Sequence, residues 1–249
     1  MKKAICVTLI ITPFMKIIPV IGEPCFGTKI NYYLIRPVVP SPIYLIFLHG
    51  IGEIGPIDGS NLAEVLKHGW PLHAKNGFEF TFNMIVPQVA TNHTNLMKIL
   101  PPYVKLKYNA SGVFVTGLSL GGKGTYEAVL YDTLGIINAV MPVCGTGSLT
   151  KVDSYGRMKA FHIHGEDDTV VYWKTAKAFI DKYNEKAVWP IKYHVYPGVK
   201  HDVWIQAYSI KPGEDELLQW FLARIEEVPT SPVNTDALKE KIIEYVKNA

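Results

Sequence analysis

A single serine lies among glycines in the stretch Gly117-Leu118-Ser119-Leu120-Gly121. The pattern G-x-S-x-G is typical of a nucleophilic serine on a tight turn between a strand and a helix, which lifts the hydroxyl clear of the sheet. Flanking glycines fit this turn, because Cβ atoms on either side would collide across it. The residues before it, VFVTG, are typical of a strand, and GGKGTYEAVLY is typical of a helix. The motif predicts nucleophilic catalysis by Ser119; the alternative is a glycine-rich turn with an idle serine.

A nucleophilic serine needs a general base, and His201 is the best placed of the eight histidines. It lies in YPGVKHDVW, a loop that follows the last predicted strand. The alternative for His201 is a solvated loop residue. Three other histidines lie on or at the ends of predicted buried strands and are expected to be packing residues: His49, His162 and His164. The remaining four are expected at the surface or in structural roles: His68, His73, His93 and His194.

The acid that orients the base is expected after a late strand. The segment KAFHIHGEDDTVV supplies a strand followed by Glu166, Asp167 and Asp168. The spacing alone does not distinguish between the two adjacent aspartates. The alternative is an acidic turn that caps the helix beginning near Tyr172.

An oxyanion intermediate needs two converging N–H donors. One is expected to be the backbone N–H of Leu120, the residue after the nucleophile. The other is expected to be the N–H of Ile51 in LHGIGEIG, where several glycines permit a close approach. The alternative is an ordinary glycine-rich turn.

The sequence offers little support for a metal, phosphate or cofactor site. His162 and His164 would share one strand face, but no third metal ligand is near in sequence, and GLSLGGKGT lacks the spacing of a phosphate loop. We therefore expect neither metal nor cofactor. The formal net charge is +3 without a run of Lys or Arg, which argues against a nucleic-acid partner. Three aromatic side chains could line the leaving-group side, although large aromatics are more often core: Trp204, Trp173 and Tyr208.

These residues require a sheet that brings them to one edge. Apolar runs predict strands at 43–48, 80–86, 113–117, 138–143, 159–165 and 192–198. Helical patterns lie between them at 60–68, 93–107, 121–131, 172–184 and 214–226. This alternation predicts a mostly parallel sheet with helices on its faces. The length of 249 residues and a hydrophobic content of 48% suit a single α/β domain.

The N-terminal run MKKAICVTLIITPFMKIIPVIGEP predicts one or two strands at the edge of the sheet. A signal peptide is the alternative, but Lys16, Pro13 and Pro19 interrupt the run, and no small-x-small cleavage site follows. The run is also too short to span a membrane. We expect a cytoplasmic protein without a membrane partner; secretion or a periplasmic location is the alternative. The three cysteines are expected to be buried thiols, with a Cys6–Cys25 bridge as the alternative.

The C-terminal segment reads as a linker, residues 229–234, followed by an amphipathic helix. Apolar residues recur there at helical spacing: Leu238, Ile242 and Tyr245 or Val246. We expect this helix to pack on its own domain. The alternative is that it docks a second subunit and forms a homodimer.

Five motifs in order resemble those of bacterial esterases with the α/β-hydrolase fold: FLHGIGEIG, NLAEVLKHGWP, VTGLSLGGKGTYEA, HGEDDTVV and GVKHDVW. The similar proteins form the group labelled phospholipase/carboxylesterase or predicted peptidase, which is related to dienelactone hydrolases and feruloyl esterases. The resemblance covers about residues 30 to 226. It implies Ser119 as nucleophile, Asp168 as acid through H-G-x-x-D-x-x-V, and His201 as base through G-x-x-H-D-x-W.

The resemblance implies a catalytic domain over residues 1–228, with a mostly parallel sheet of about eight strands flanked by helices. It implies hydrolysis of carboxylic esters. Because loop 144–158 is too short for a large apolar lid, we expect short acyl esters, or carbohydrate or aryl esters, as substrates. A peptidase or amidase and a non-catalytic binding protein are the alternatives. The chain departs from the family at Gly112, where relatives often carry arginine, and in the tail from residue 229. A serine rather than a cysteine nucleophile argues against dienelactone hydrolysis.

Overall fold

Eight strands form one sheet in the order β1-β2-β4-β3-β5-β6-β7-β8. The structure, a computed structural model, describes residues 15–229 and 235–248. Strand β2 pairs antiparallel with β1 and β4, and the remaining pairs are parallel. The strands are β1 Lys16–Cys25, β2 Thr28–Arg36, β3 Ile43–Leu48, β4 Asn83–Gln88, β5 Gly112–Leu118, β6 Ile137–Val143, β7 Phe161–Gly165 and β8 Lys192–Tyr196.

Helices cover both faces of the sheet. They are α1 Gly69–Lys75, α2 Thr94–Lys107, α3 Leu120–Tyr131, α4 Trp173–Asn184, α5 Trp204–Ala207, α6 Glu216–Ile225 and α7 Thr235–Asn248. Residues of α2, α3, α4 and α7 pack in one core layer, and residues of α1, α5 and α6 pack in the other. The predicted layer arrangement is therefore confirmed.

The continuous apolar runs in the sequence reflect strands that are covered by helices on both faces of the sheet. All six residues of β3 are buried. Tyr44, Ile46 and Leu48 enter one core layer, and the alternate residues of the strand enter the other. Because successive side chains point to opposite faces, both sets of side chains of a strand covered on both sides are buried, which favours apolar residues at every position.

Two predicted elements differ most from the structure: the strand at 80–86 and the helix at 60–68. Strand β4 begins at Asn83 rather than at residue 80, because Phe80 and Phe82 pack against the indole of Trp70. The predicted helix at 60–68 is wrong. Residues Leu62–Leu66 form a 3-10 turn, and helix α1 begins only at Gly69. That glycine has φ +60°, and a Cβ there would lie 2.5 Å from the Phe47 ring.

The N-terminal prediction is borne out where the structure describes it. Strand β1 lies at the edge of the sheet, where Pro19 is tolerated because an edge residue need not donate a ladder hydrogen bond. Residues 1–14, and with them the signal-peptide and Cys6–Cys25 alternatives, lie outside the described residues. Cys25 and Cys144 are buried, and they form no disulfide with each other or with any residue that the structure describes. None of the helices in the described part of the chain combines the length and apolar character needed to cross a membrane.

Helix α7 packs on its own domain, as the sequence predicts. Ile242 is fully buried, and Leu238 and Val246 are partly buried against the same core. The Tyr245 hydroxyl donates to the carbonyl of Tyr131 at the end of α3, over 2.7 Å. The apolar face is thus used within the chain, and a homodimer through α7 stays a prediction. Residues 230–234 of the expected linker lie outside the described residues.

Candidate active site

Three side chains from three strand ends meet at the carboxyl edge of the parallel sheet. Ser119 follows β5, Asp168 follows β7, and His201 follows β8. The Nε2 atom of His201 lies 2.8 Å from Ser119 Oγ, and its Nδ1 atom lies 2.7 Å from Asp168 Oδ2. With the imidazole proton on Nδ1, His201 donates to the carboxylate and accepts from the serine hydroxyl. That arrangement can remove a proton from Ser119.

Ser119 occupies strained backbone between β5 and α3. Its φ of 55° and ψ of −114° lie outside the regions that L-residues ordinarily adopt. A hydrogen bond from its N–H to Val143 O, 3.0 Å, and one from Lys123 N–H to its carbonyl, 3.0 Å, hold the turn. A Cβ on Gly117 would lie 2.7 Å from the Gly121 carbonyl, and one on Gly121 only 2.0 Å from Leu48 O. The glycines are therefore required by contacts across and beneath the turn.

The structure separates the two candidate aspartates. Asp168 is buried, and its Oδ1 accepts the N–H groups of Val170 and Val171 at 2.8 and 2.9 Å. Its Oδ2 faces His201. Asp167 is exposed and uses its backbone N–H to donate to Val199 O. Only Asp168 of this pair is bonded to the imidazole of His201 among the described residues.

The two expected oxyanion donors lie on adjoining turns. Leu120 is the first residue of α3, where N–H groups lack intrahelical acceptors and the helix dipole favours negative charge. Ile51 begins the 3-10 turn after β3. The preceding Gly50 fits closely on the Ser119 turn, since a Cβ there would lie 2.8 Å from Leu118 Cδ1. Within residues 15–229 and 235–248, no backbone carbonyl of a turn or loop accepts the N–H of Ile51 or of Leu120.

Two buried histidines hold the loop that carries Ile51. His49 Nε2 accepts the N–H of Val89 at 3.1 Å, so its Nδ1–H donates to Gly50 O at 2.6 Å. His93 donates from Nε2 to His49 O at 3.0 Å. The structural role expected for His49 is confirmed. His93, expected at the surface or in a structural role, is buried in a structural role, which no local pattern indicates because this contact joins residues 44 positions apart.

The expected substrate-facing aromatics occupy different places. Trp204 packs edge-on against His201, with ring centroids 5.5 Å apart, and contacts His68 on its other side. Trp173 instead packs on His162 and His164, the two histidines behind Asp168. Tyr208 is fully buried and donates its hydroxyl proton to Thr116 Oγ1, 2.9 Å away, so it cannot line a substrate surface.

Comparisons with known proteins agree with this architecture. No family model matches the chain. The bifunctional acetylxylan esterase/xylanase XynS20E of Neocallimastix patriciarum is 24% identical over 168 residues, covering 64% of this chain and 24% of that protein. The crystal structure of a thermostable esterase matches with a TM-score of 0.62 at 23% identity, over 84% of this chain and 62% of that one.

A second structural match is the acylaminoacyl peptidase of Pyrococcus horikoshii, with a TM-score of 0.61 at 10% identity over 88% of this chain and 43% of that one. Both matched enzymes share the layered sheet. The chain has the α/β-hydrolase fold. At these identities the likeness establishes the architecture, and the chain spans about a quarter of the length of its fungal relative.

Four histidines near this edge are buried: His49, His93, His162 and His164. Burial lowers the pKa of each below its usual 6.5, that of His93 to about 3. Above pH 6.5 they are neutral in both the folded and the unfolded chain. Below pH 6.5 the unfolded chain takes up protons that the folded chain takes up only at lower pH, so stability falls, by about 1.4 kcal/mol per pH unit for a group such as His93 that stays neutral in the folded chain.

We therefore expect the Tm of the protein to fall steeply between pH 6.5 and 4.5, above the range in which ordinary carboxylates titrate. Circular dichroism melts across this range measure the slope. His93→Gln keeps a donor for His49 O and removes one titrating group, so its slope is expected to be shallower by about one proton. A Tm that stays constant from pH 7.5 to 5 would contradict the assignment of neutral buried imidazoles.

Proposed function

We propose that this chain is a serine esterase that hydrolyses carboxylic esters. Ser119 is the proposed nucleophile, His201 the general base and acid, and Asp168 the residue that orients the imidazole. The N–H groups of Leu120 and Ile51 are the proposed oxyanion donors. The observation that carries the proposal is the unbroken hydrogen-bond path from the buried Asp168 carboxylate through His201 to a strained, half-exposed serine hydroxyl.

In the proposed acylation step, Ser119 Oγ attacks the ester carbonyl carbon while His201 Nε2 takes the hydroxyl proton. The Nδ1–H bond to Asp168 stabilises the imidazolium that forms. Negative charge develops on the former carbonyl oxygen, where two preorganised N–H donors lower the barrier. Collapse of the tetrahedral intermediate expels the alcohol, which receives the proton from Nε2.

Deacylation repeats these roles with water. His201 Nε2 removes a proton from the water that attacks the acyl-enzyme, and then returns it to Ser119 Oγ as the acid leaves. Every group in this sequence of steps belongs to the chain. Atoms balance as one ester and one water giving one acid and one alcohol.

Short acyl esters, or acyl and aryl esters of carbohydrates, are the proposed substrates. The loop expected to be too short for a lid contains only the 3-10 turn Leu149–Ser154, with the side chain of Leu149 half exposed. This loop has little apolar surface that could close over a long acyl group. The similarity to the acetylxylan esterase/xylanase of Neocallimastix patriciarum supports the carbohydrate ester among these classes.

A peptidase or amidase is the second candidate, because the same three residues can cleave amides. The structural match to an acylaminoacyl peptidase supports it. Esters and amides differ in their leaving groups: an amine must be protonated before it departs, whereas an alkoxide of low pKa leaves readily. The two functions therefore predict different ratios of activity on matched substrates.

The test is a series of p-nitrophenyl esters from acetate to octanoate beside the matching anilides. We expect turnover that is highest on short chains and at least about a hundredfold slower on anilides. Treatment with a fluorophosphonate is expected to inactivate the enzyme and to label the peptide that contains Ser119. A label on another residue, or full activity after labelling, would refute the proposed nucleophile. Faster cleavage of anilides would favour the peptidase.

A further inference from the structure

A second line of buried hydrogen bonds ends behind Asp168. It runs from Tyr126 in α3 to His162 and His164 in β7, and all three side chains are fully buried. The Tyr126 hydroxyl lies 3.0 Å from His162 Nδ1, and His162 Nε2 lies 2.8 Å from His164 Nδ1. His164 Nε2 lies 2.7 Å from Val171 O and 3.3 Å from Asp168 Oδ2.

The carbonyl of Val171 determines which atom is the donor in each hydrogen bond of this line. Val171 O can only accept, so His164 carries its proton on Nε2. His164 Nδ1 is then an acceptor, and His162 must donate to it from Nε2. His162 Nδ1 is left as an acceptor, which the hydroxyl of Tyr126 satisfies. All donors therefore point toward the loop that carries Asp168.

This direction holds only while both imidazoles are neutral. Burial lowers the pKa of His162 well below its usual value and that of His164 below it, and burial raises the pKa of the Tyr126 hydroxyl. The Trp173 ring packs across the two imidazoles, with centroid distances of 5.9 and 5.5 Å. The rings are thus fixed by hydrogen bonds along their edges and by an indole across their faces.

The line connects helix α3, which follows Ser119, to the loop that carries Asp168. Tyr126 lies two turns into the helix that begins after Ser119. His164 holds Val171 by its carbonyl, while the Val171 N–H donates to Asp168 Oδ1. The loop of the acid is therefore tied to the helix of the nucleophile through two imidazoles.

We propose that His164 is a positioning residue for Asp168, and that His162 and Tyr126 act by holding His164 in its Nε2–H tautomer. The inference rests on the proposed triad, because a positioned acid matters only if His201 works as a base. It also gives Trp173 a place in the site as the cover of this pair, instead of the substrate contact expected from the sequence.

Kinetics of two His164 variants test the inference. His164→Leu removes both hydrogen bonds, and we expect kcat for p-nitrophenyl acetate to fall about tenfold to a hundredfold with KM changed less than about twofold. His164→Gln keeps an acceptor toward His162 and a donor toward Val171, so it is expected to retain kcat within about fivefold of wild type. Equal losses in the two variants, or a loss confined to KM, would overturn the positioning role.

Nitrogen-15 NMR of histidine-labelled protein supplies a readout that needs no activity. We expect His162 and His164 to be neutral Nε2–H tautomers at pH 7, assigned by comparison with the His164→Gln protein. Tyr126→Phe, which removes one hydroxyl and keeps the ring, is expected to shift the His162 signals and to lower kcat a few-fold. A charged pair or an Nδ1–H tautomer at His164 would refute the proposal even if the protein hydrolyses no ester.

Failure of the two proposals can be told apart. If wild type cleaves none of the esters or anilides, the proposed function fails, and the NMR result still decides whether the histidine line has the inferred direction. If His164→Leu does not fold, Tyr126→Phe and His164→Gln carry the test. Unchanged kcat and unchanged imidazole signals in Tyr126→Phe would then refute the proposal that Tyr126 and His162 hold the tautomer of His164.

Discussion

Ser119→Ala is expected to lower kcat for p-nitrophenyl acetate on the order of 10⁴-fold or more, while the protein stays folded. The substitution removes the one atom that forms the acyl bond and leaves His201, Asp168 and both oxyanion N–H groups in place. Alanine carries a Cβ as serine does, so the steric strain at a φ of 55° persists in the variant. The measurement is kcat by stopped or continuous assay, with circular dichroism melts to verify the fold.

The matched control for this change is Ser148→Ala. Ser148 lies in the loop after β6 and its hydroxyl contacts only Thr150 Oγ1 at the surface among the described residues. This variant loses the same oxygen atom and is expected to keep kcat within about twofold. If Ser119→Ala retains more than about a tenth of wild-type turnover, another group performs the attack and the proposed mechanism is wrong. Residual turnover near 10⁻⁴ would instead agree with oxyanion donors acting on a bound ester.

Much of the sheet could be predicted because parallel strands covered on both faces are buried along their length and are therefore largely apolar. β3 and β5 show this most clearly, as every residue of each is buried. Where the prediction failed, side chains pack in an aromatic cluster that local patterns cannot report. Phe80 and Phe82 look like strand residues, yet their rings pack on Trp70 in helix α1.

The candidate site also has residues that the local sequence predicts and residues that it does not. Ser119 is visible in the sequence because its turn tolerates only glycine on either side, which leaves a local signature. The choice between Asp167 and Asp168 is not local, since it depends on which carboxylate the fold buries against a histidine 33 residues later. Spacing left that choice open, and only the family resemblance favoured Asp168.

The hydrogen-bonded line of Tyr126, His162 and His164 behind Asp168 has no recognisable pattern in the sequence. His162 and His164 were expected to be packing residues, and burial confirms this. Their order of donors, however, depends on a tyrosine 36 residues earlier and a carbonyl seven residues later. Such networks arise from contacts between elements, so sequence periodicity can place the residues on a strand face but cannot say what their nitrogens bind.

Asp168→Asn is expected to lower kcat by about 10⁴-fold, although the side chain keeps its size and shape. The reason lies in the two N–H groups that Oδ1 accepts, from Val170 and Val171. An asparagine must place its only oxygen there, because turning the amide would set its NH₂ against two donors. The NH₂ then occupies the position of Oδ2, facing His201 Nδ1.

With a donor at that position, Nδ1 of His201 must become the acceptor, and its proton moves to Nε2. A protonated Nε2 cannot accept the hydroxyl proton of Ser119, 2.8 Å away, so the base is lost while the geometry persists. Asp167→Asn makes the same chemical change on the exposed neighbour and is expected to stay within about twofold of wild type. Comparing kcat for the two variants on one short ester measures the difference directly. Equal activity of both would mean that Asp168 does not orient His201, whereas a loss confined to Asp167→Asn would move the acid to the surface turn.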